Sequence, residues 1–256
     1  MMTMNRARRA LMVLGLAGLA AIPATAADQR YAVLSLIGDK VSLVWWRQAT
    51  GSNIDRNERQ AVAIKDGALD KMALLAVDDA LRRAHPKATP TLLAVRDPKL
   101  YALQEQMLER GTDAGELLGA VTGLLGQSQA TRLILVSKYR ADARLPIRGK
   151  FVGVGKLTGL GFYVDEEMSL TDLNTGVTND GFVAPFAYLA VTLVDVQTMM
   201  PIKRVLVPES FVFPTAASKS ALRPWEALSA QSKVEALERL INQAVEHAMP
   251  GLLAAE

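Results

Sequence analysis

Apolar and polar positions along this chain fall into segments of two different periods. From residue 31, YAVLSLIGDKVSLVWWRQ runs or alternates apolar around Gly38-Asp39. That pattern predicts a hairpin of residues 31–37 and 41–47 with a Gly-Asp turn. The polar run QATGSNIDRNER reads as a loop, and QAVAI as a further short strand. Asp66-Gly67 then opens a helix through about Ala84, with Leu69, Met72, Ala73, Ala76, Ala80 and Leu81 on one face. Pro86 stops it.

TLLAV, residues 91–95, reads as a short strand of the buried type. Asp97-Pro98 supplies an N-cap and first helical residue, and Gly111 ends that helix after Arg110. Asp113 and Glu116 restart a helix near 114–127 by capping-box logic. Its Gly115, Gly119 and Gly123 form one stripe suited to close packing on the sheet or another helix. TRLILVSKYR, 131–140, is the clearest central strand. The segment GKFVGVGKLTGLGFYVDEE, 149–167, reads as a twisted hairpin of structural glycines. The polar loop SLTDLNTGVTNDGF separates it from strand FAYLAVTLVDV, 186–196, whose hairpin partner is IKRVLV after Pro201. Pro224 starts a turn. Ser232 and Glu235 box the last helix, Val234, Leu237, Ile241, Ala244 and Ala248 make its apolar face, and Pro250-Gly251 closes it. Mixed strands and helices, then strands, then helix predict an α/β fold: a layered domain with a mixed, partly antiparallel sheet flanked by helices. No repeat or low-complexity linker divides residues 27–256, which read as a single α/β domain.

The chain's start changes the charge picture. Arg6, Arg8 and Arg9 precede the apolar run ALMVLGLAGLAAI, and Ala24 and Ala26 fit a small-x-small cleavage site. The run is short of the ~20 residues of a bilayer span. Residues 1–26 therefore read as a signal peptide cleaved near Ala26, directing the protein to the periplasm without stable membrane insertion. The full chain carries 29 basic and 26 acidic residues, a net charge of +3. Removing the three leader arginines leaves a balanced chain, which speaks against non-specific nucleic-acid binding. The absence of cysteine excludes a lipoprotein acylation site, disulfides and thiol chemistry.

Known chemical motifs fail on their spacing. Gly155-Lys156 is followed by Leu157, so no P-loop forms, and Thr158 stands where a dinucleotide fingerprint needs its third glycine. A calcium-loop reading of Asp172 and Asn174 fails at Gly176 and at Val183. Asp165, Glu166 and Glu167 read as a solvated strand end. His85 and His247 lie near helix ends without metal-ligand spacing. No catalytic, cofactor-binding or metal residue is assigned. Trp45 and Trp46 point to opposite faces of a strand and read as core on both, with an exposed ring for binding as the alternative.

TLLAVRDPKLYALQEQMLERG resembles the strand-to-helix unit of the curli secretion-channel lipoproteins and their relatives. TRLILVSKYR resembles their central strand, and FAYLAVTLVDVQTMMPIKRVLV their closing hairpin. The amino-terminal domain of the Tol-system translocation protein is similar in its order of elements, across about residues 60–248. The resemblance implies an envelope protein working through protein contacts, with no shared catalytic residues. This chain departs from it in lacking the anchoring cysteine and a pair of long barrel-forming hairpins. The expectation is a soluble, non-enzymatic periplasmic protein with an envelope protein partner and no cofactor. Trp45, Trp46, Gly155, Gly159 and Tyr163 are the candidate partner-binding residues, and the glycine stretch could also form a homo-oligomer contact. The alternatives are a hydrolase built on Asp39 or Asp165, and a small-ligand binding module.

Overall fold

The computed structural model describes residues 29–47, 55–95, 97–112, 115–126, 128–171, 178–214 and 224–255. The leader, the Asp113 cap, and Asp172, Asn174 and Gly176 of the polar loop lie outside them. The first half of the chain contributes β1 (Tyr31–Ser35), β2 (Lys40–Trp45), β3 (Glu58–Ala63), α1 (Ala68–Ala84), β4 (Thr91–Leu93), α2 (Pro98–Arg110) and α3 (Gly115–Leu125). The second half contributes β5 (Arg132–Lys138), β6 (Arg140–Asp142), β7 (Leu145–Ile147), β8 (Lys150–Val152), β9 (Lys156–Thr171), β10 (Thr178–Asp195), β11 (Met200–Ser210), β12 (Phe213–Pro214) and α4 (Ala230–Leu253). The α/β class read from the sequence is the one observed: a mixed sheet with helices on both faces.

Two of the sheet's strands are each broken in the middle. On one edge, β10 pairs antiparallel with β9 through Tyr188↔Gly159 and then with β5 from Leu189↔Lys138 onward. Its other edge carries β11, and β12 beyond it. β5 and β9 thus occupy one strand position, interrupted by the excursion of residues 139–155. Next to them, β1 runs parallel to β5 and β2 parallel to β9. β1 and β2 therefore point the same way and form a second broken strand, interrupted at Leu36–Asp39. The predicted Gly-Asp hairpin is not formed: β1 and β2 pair with β5 and β9, never with each other. Parallel β4 and antiparallel β3 flank this strand at its two ends.

Period-2 alternation divides the long β10 between the sheet's two faces. Val183, Ala187, Leu189, Val191 and Leu193 face α1 and α4. Phe182, Ala184, Phe186, Tyr188 and Ala190 face the excursion, and Val194 faces α2 and α3. Both faces are covered, so the strand is almost uniformly apolar. Pro185 interrupts nothing, because the partner on one edge changes from β12 to β11 between Val183 and Phe186.

The structure corrects several further expectations. Only the start of the glycine stretch belongs to a hairpin: β7 and β8 turn at Arg148-Gly149, both at positive φ, and β9 then enters the sheet. β9 and β10 also extend into the segment read as a polar loop. β4 is an exposed edge strand, not a buried one. Ser229, not Ser232, caps α4 by accepting from Ser232 N at 3.0 Å, and the helix continues past Pro250 to Leu253. The stripe Gly115, Gly119 and Gly123 faces solvent, with nothing within 4 Å of where a Cβ would stand.

The excursion folds back over the sheet's second face and is held there. Leu145 is fully buried. The Tyr188 hydroxyl accepts from Arg144 N at 3.0 Å and donates to Asp142 O at 3.2 Å, and its ring stacks on Tyr139. Tyr163 accepts from Val154 N at 3.2 Å. Tyr188→Phe should lower stability by about 1 kcal/mol. It should also speed hydrogen exchange of the Arg144 amide while leaving amides of α4 unchanged. An Arg144 amide equally protected in the variant would show that the hydroxyl does not anchor the excursion.

Candidate functional site

Where the paired strands break, backbone groups lose their ladder partners, and two helices supply replacements. Leu36 N still bonds Val136 O at 2.9 Å. The next bond of a parallel ladder would join Leu36 O to Lys138 N. Instead the Gln104 side chain of α2 stands between them, donating to Leu36 O at 2.6 Å and accepting from Lys138 N at 2.8 Å. From the other face, Asp70 of α1 accepts from Ile37 N at 2.9 Å and Ser35 Oγ at 2.6 Å. The Tyr101 hydroxyl of α2 donates to its second oxygen at 2.6 Å. Gly38 is required by this approach, since a Cβ there would collide with the Asp70 carboxylate.

Lys138, whose side chain is only 2% exposed, is paired at the same break. Its Nζ lies 2.6 Å from Asp39 Oδ1 and 3.0 Å from Glu105 Oε1. Glu105 also holds Lys40 at 3.2 Å. The Lys138 stem passes under Gly159, at φ 60°, where a Cβ would stand 2.7 Å from Lys138 Cδ.

A cleft of about 290 Å³ opens over the break, between α2 and the foot of the excursion. The small side chains of Ser42 and Ala61, paired across β2 and β3, leave the space at its floor. Lys40, Arg59, Lys138, Arg140 and Lys156 line it, against two lining carboxylates, Glu105 and Glu109. Arg59 is fixed by Asp55 at 2.5 Å and by Lys156 O at 3.2 Å, and Lys156 Nζ meets Asp142 at 2.7 Å. Burial pushes the Asp55 carboxyl up, but bonds from Arg59 and from the Lys156 and Asn57 amides outweigh it and hold the group below its ordinary value.

The residues proposed from the sequence are dispersed. Trp45 is half-buried against the α1/α4 core and Trp46 against the excursion core. Tyr163 is fully buried and Gly159 is buried, so neither presents a partner surface. Gly155, at φ 85°, sits where a Cβ would collide with the Asp55 carboxylate. Asp165 is no solvated strand end: it is 4% exposed and accepts from Glu167 N and Met168 N at 2.9 and 2.8 Å, satisfying amides that a bulge leaves unpaired. Asp39 is held by Lys138. From the strand register Asp39 and Asp165 stand roughly 20 Å apart, too far to act as a pair. His85 stacks on Tyr31, and His247 Nδ1 meets Glu209 at 2.6 Å.

Sequence reasoning missed Asp70, Gln104 and Lys138. Asp70 falls in line with Ala73, Leu74, Val77 and Leu81, and Gln104 with Leu100 and Met107, all buried. A polar residue inside an apolar helical stripe was the available sign. Burial pushes the Asp70 carboxyl above its ordinary value of 3.8, with the bonds from Ser35, Tyr101 and Ile37 pulling the other way. Burial first, and then the bond to Asp70, push the Tyr101 hydroxyl up, which keeps it a donor.

No protein-family model matches the chain, and no curated protein matches it. Three solved structures are similar in part. A Xanthomonas campestris protein described as DUF330 is 8% identical over 89% of this chain and 84% of that one, with a TM-score of 0.37. A neuraminyllactose-binding hemagglutinin homolog from Helicobacter pylori is 10% identical over 88% and 81%, at 0.37. A hypothetical protein from Chlamydia trachomatis is 12% identical over 90% and 100%, at 0.35. At these scores none bears on the chemistry of the site.

Asp70→Ala should strand Ile37 N, Ser35 Oγ and Tyr101 OH and lower stability by about 3 kcal/mol at neutral pH. Asp70→Asn tests the charge. A carboxyl whose folded value is raised contributes stability below 3.8 and loses it as pH rises through the folded value. The stability of the native chain minus that of Asp70→Asn, measured by urea unfolding, should therefore fall as pH rises from the acid side and then level off. A difference that grows with pH would contradict a raised Asp70.

Proposed function

We propose that this is an exported, non-enzymatic protein of the cell envelope that works through protein–protein contacts, as its resemblance to the curli-channel and Tol-system domains implies. The observation that carries this reading is the β7–β8 hairpin. Phe151 is 62% exposed on it, with the Arg144 guanidinium 4.7 Å from its ring centroid. Arg148 lies in the turn and Lys150 directly after it, and Val154 is 41% exposed nearby in sequence. A large aromatic ring left in water, next to arginine, on a segment anchored to the body is the composition of an interface centre. The buried polar groups at the break are already occupied in holding backbone, which favours a structural rather than a catalytic use for them. Among the described residues no helix is long and apolar enough to cross a membrane.

A photocrosslinking residue at position 151, in the native host, tests the reading. It should trap one defined envelope protein, and the product should be lost when Arg148 and Lys150 are both changed to Glu. The same probe at Glu238, on the exposed side of α4, should trap none of it. The chain recovered from the periplasm should begin at Ala27. Intact precursor confined to the cytosol, or equal trapping from both positions, would refute the proposal.

A further inference from the structure

We propose that the cleft over the strand break binds a compact, doubly charged oxyanion of the phosphate-monoester class, independently of the hairpin's partner. Cations reach the cleft from separate elements: Lys40 from β2, Arg140 from β6 and Lys156 from β9. A tetrahedral anion presents acceptors in several directions and can meet all of them, whereas a planar carboxylate fits one fork. The lining carboxylates offset the cations only in part. Glu105 is shared between Lys40 and Lys138, Lys138 also pairs with Asp39, and Arg59 and Lys156 pair with Asp55 and Asp142 outside the lining, so the cation left over is Arg140. Arg140 is exposed and makes no ion pair among the described residues, so its guanidinium is available to a ligand. The Ser42 and Thr158 hydroxyls add neutral donors to the lining. The volume, about 290 Å³, falls just below the ~300–1,000 Å³ of small-molecule sites, which admits the anionic group with little else attached.

That group can come from a soluble phosphate ester or from a phosphomonoester lipid headgroup, and the test separates them. Calorimetry of the purified full chain with inorganic phosphate and glycerol phosphate reads the first source. Co-sedimentation with phosphatidylcholine vesicles, with and without phosphatidic acid, reads the second. Arg140→Gln should weaken binding about tenfold or more, the effect of losing one charge-assisted hydrogen bond. Ala61→Phe, on the exposed β3, should abolish binding by filling the floor without removing a charge. Circular dichroism of both variants checks that the fold is kept. Saturable binding of the free phosphates with this dependence establishes a soluble ligand. The same dependence seen only with phosphatidic acid establishes a lipid headgroup. Binding absent from both arms, or unchanged in both variants, overturns the proposal.

Discussion

The Gln104 amide, inserted where the β1–β5 ladder would make its next bond, is the contact on which the architecture turns. A sheet this long with two adjacent strands interrupted would leave backbone donors and acceptors unpaired in its interior, each at a cost of roughly 1–3 kcal/mol. Gln104 replaces one bond from the second face, and Asp70 takes the Ile37 amide from the first. Tyr101 joins the two helices by its bond to Asp70. The break is thus a sealed joint: α1 and α2 cannot shift independently without exposing a buried polar group.

What the joint makes room for is the rest of the molecule's surface chemistry. The interruption of β5–β9 releases residues 139–155, which cross the second face and present the β7–β8 hairpin. The interruption of β1–β2 places Lys40 and the buried Lys138 beside one another, with Glu105 between them. The cleft is the uncovered strip between α2 and the foot of the excursion. Hairpin and cleft are both consequences of the same two breaks.

The elements read best from the sequence were those with strong local punctuation. Asp97-Pro98 and Gly111 bound α2 as expected, with Asp97 accepting from Lys99 N at 2.9 Å and Gly111 in the left-handed region. The β10–β11 hairpin was legible from its apolar run and Pro201. Gly38-Asp39 misled for a physical reason: a glycine between two apolar strands signals a turn equally whether the chain reverses or merely steps past a side chain. Here it steps past Asp70, a contact 32 residues away in sequence that local pattern does not encode. Lys138 was missed for the same reason: a terminal lysine on an apolar strand usually reaches solvent, and here Asp39 and Glu105, distant in sequence, hold it inside.

Hydrogen exchange at the Lys138 amide in Gln104→Met tests the joint most directly. Methionine keeps the volume and apolar stem but removes both hydrogen bonds. The account predicts that the Lys138 amide exchanges at least about tenfold faster in the variant, the loss of one buried hydrogen bond, while amides in the β10–β11 ladder keep their protection. A Lys138 amide as protected in Gln104→Met as in the native chain would contradict it, because the break would then be held by something other than the Gln104 side chain.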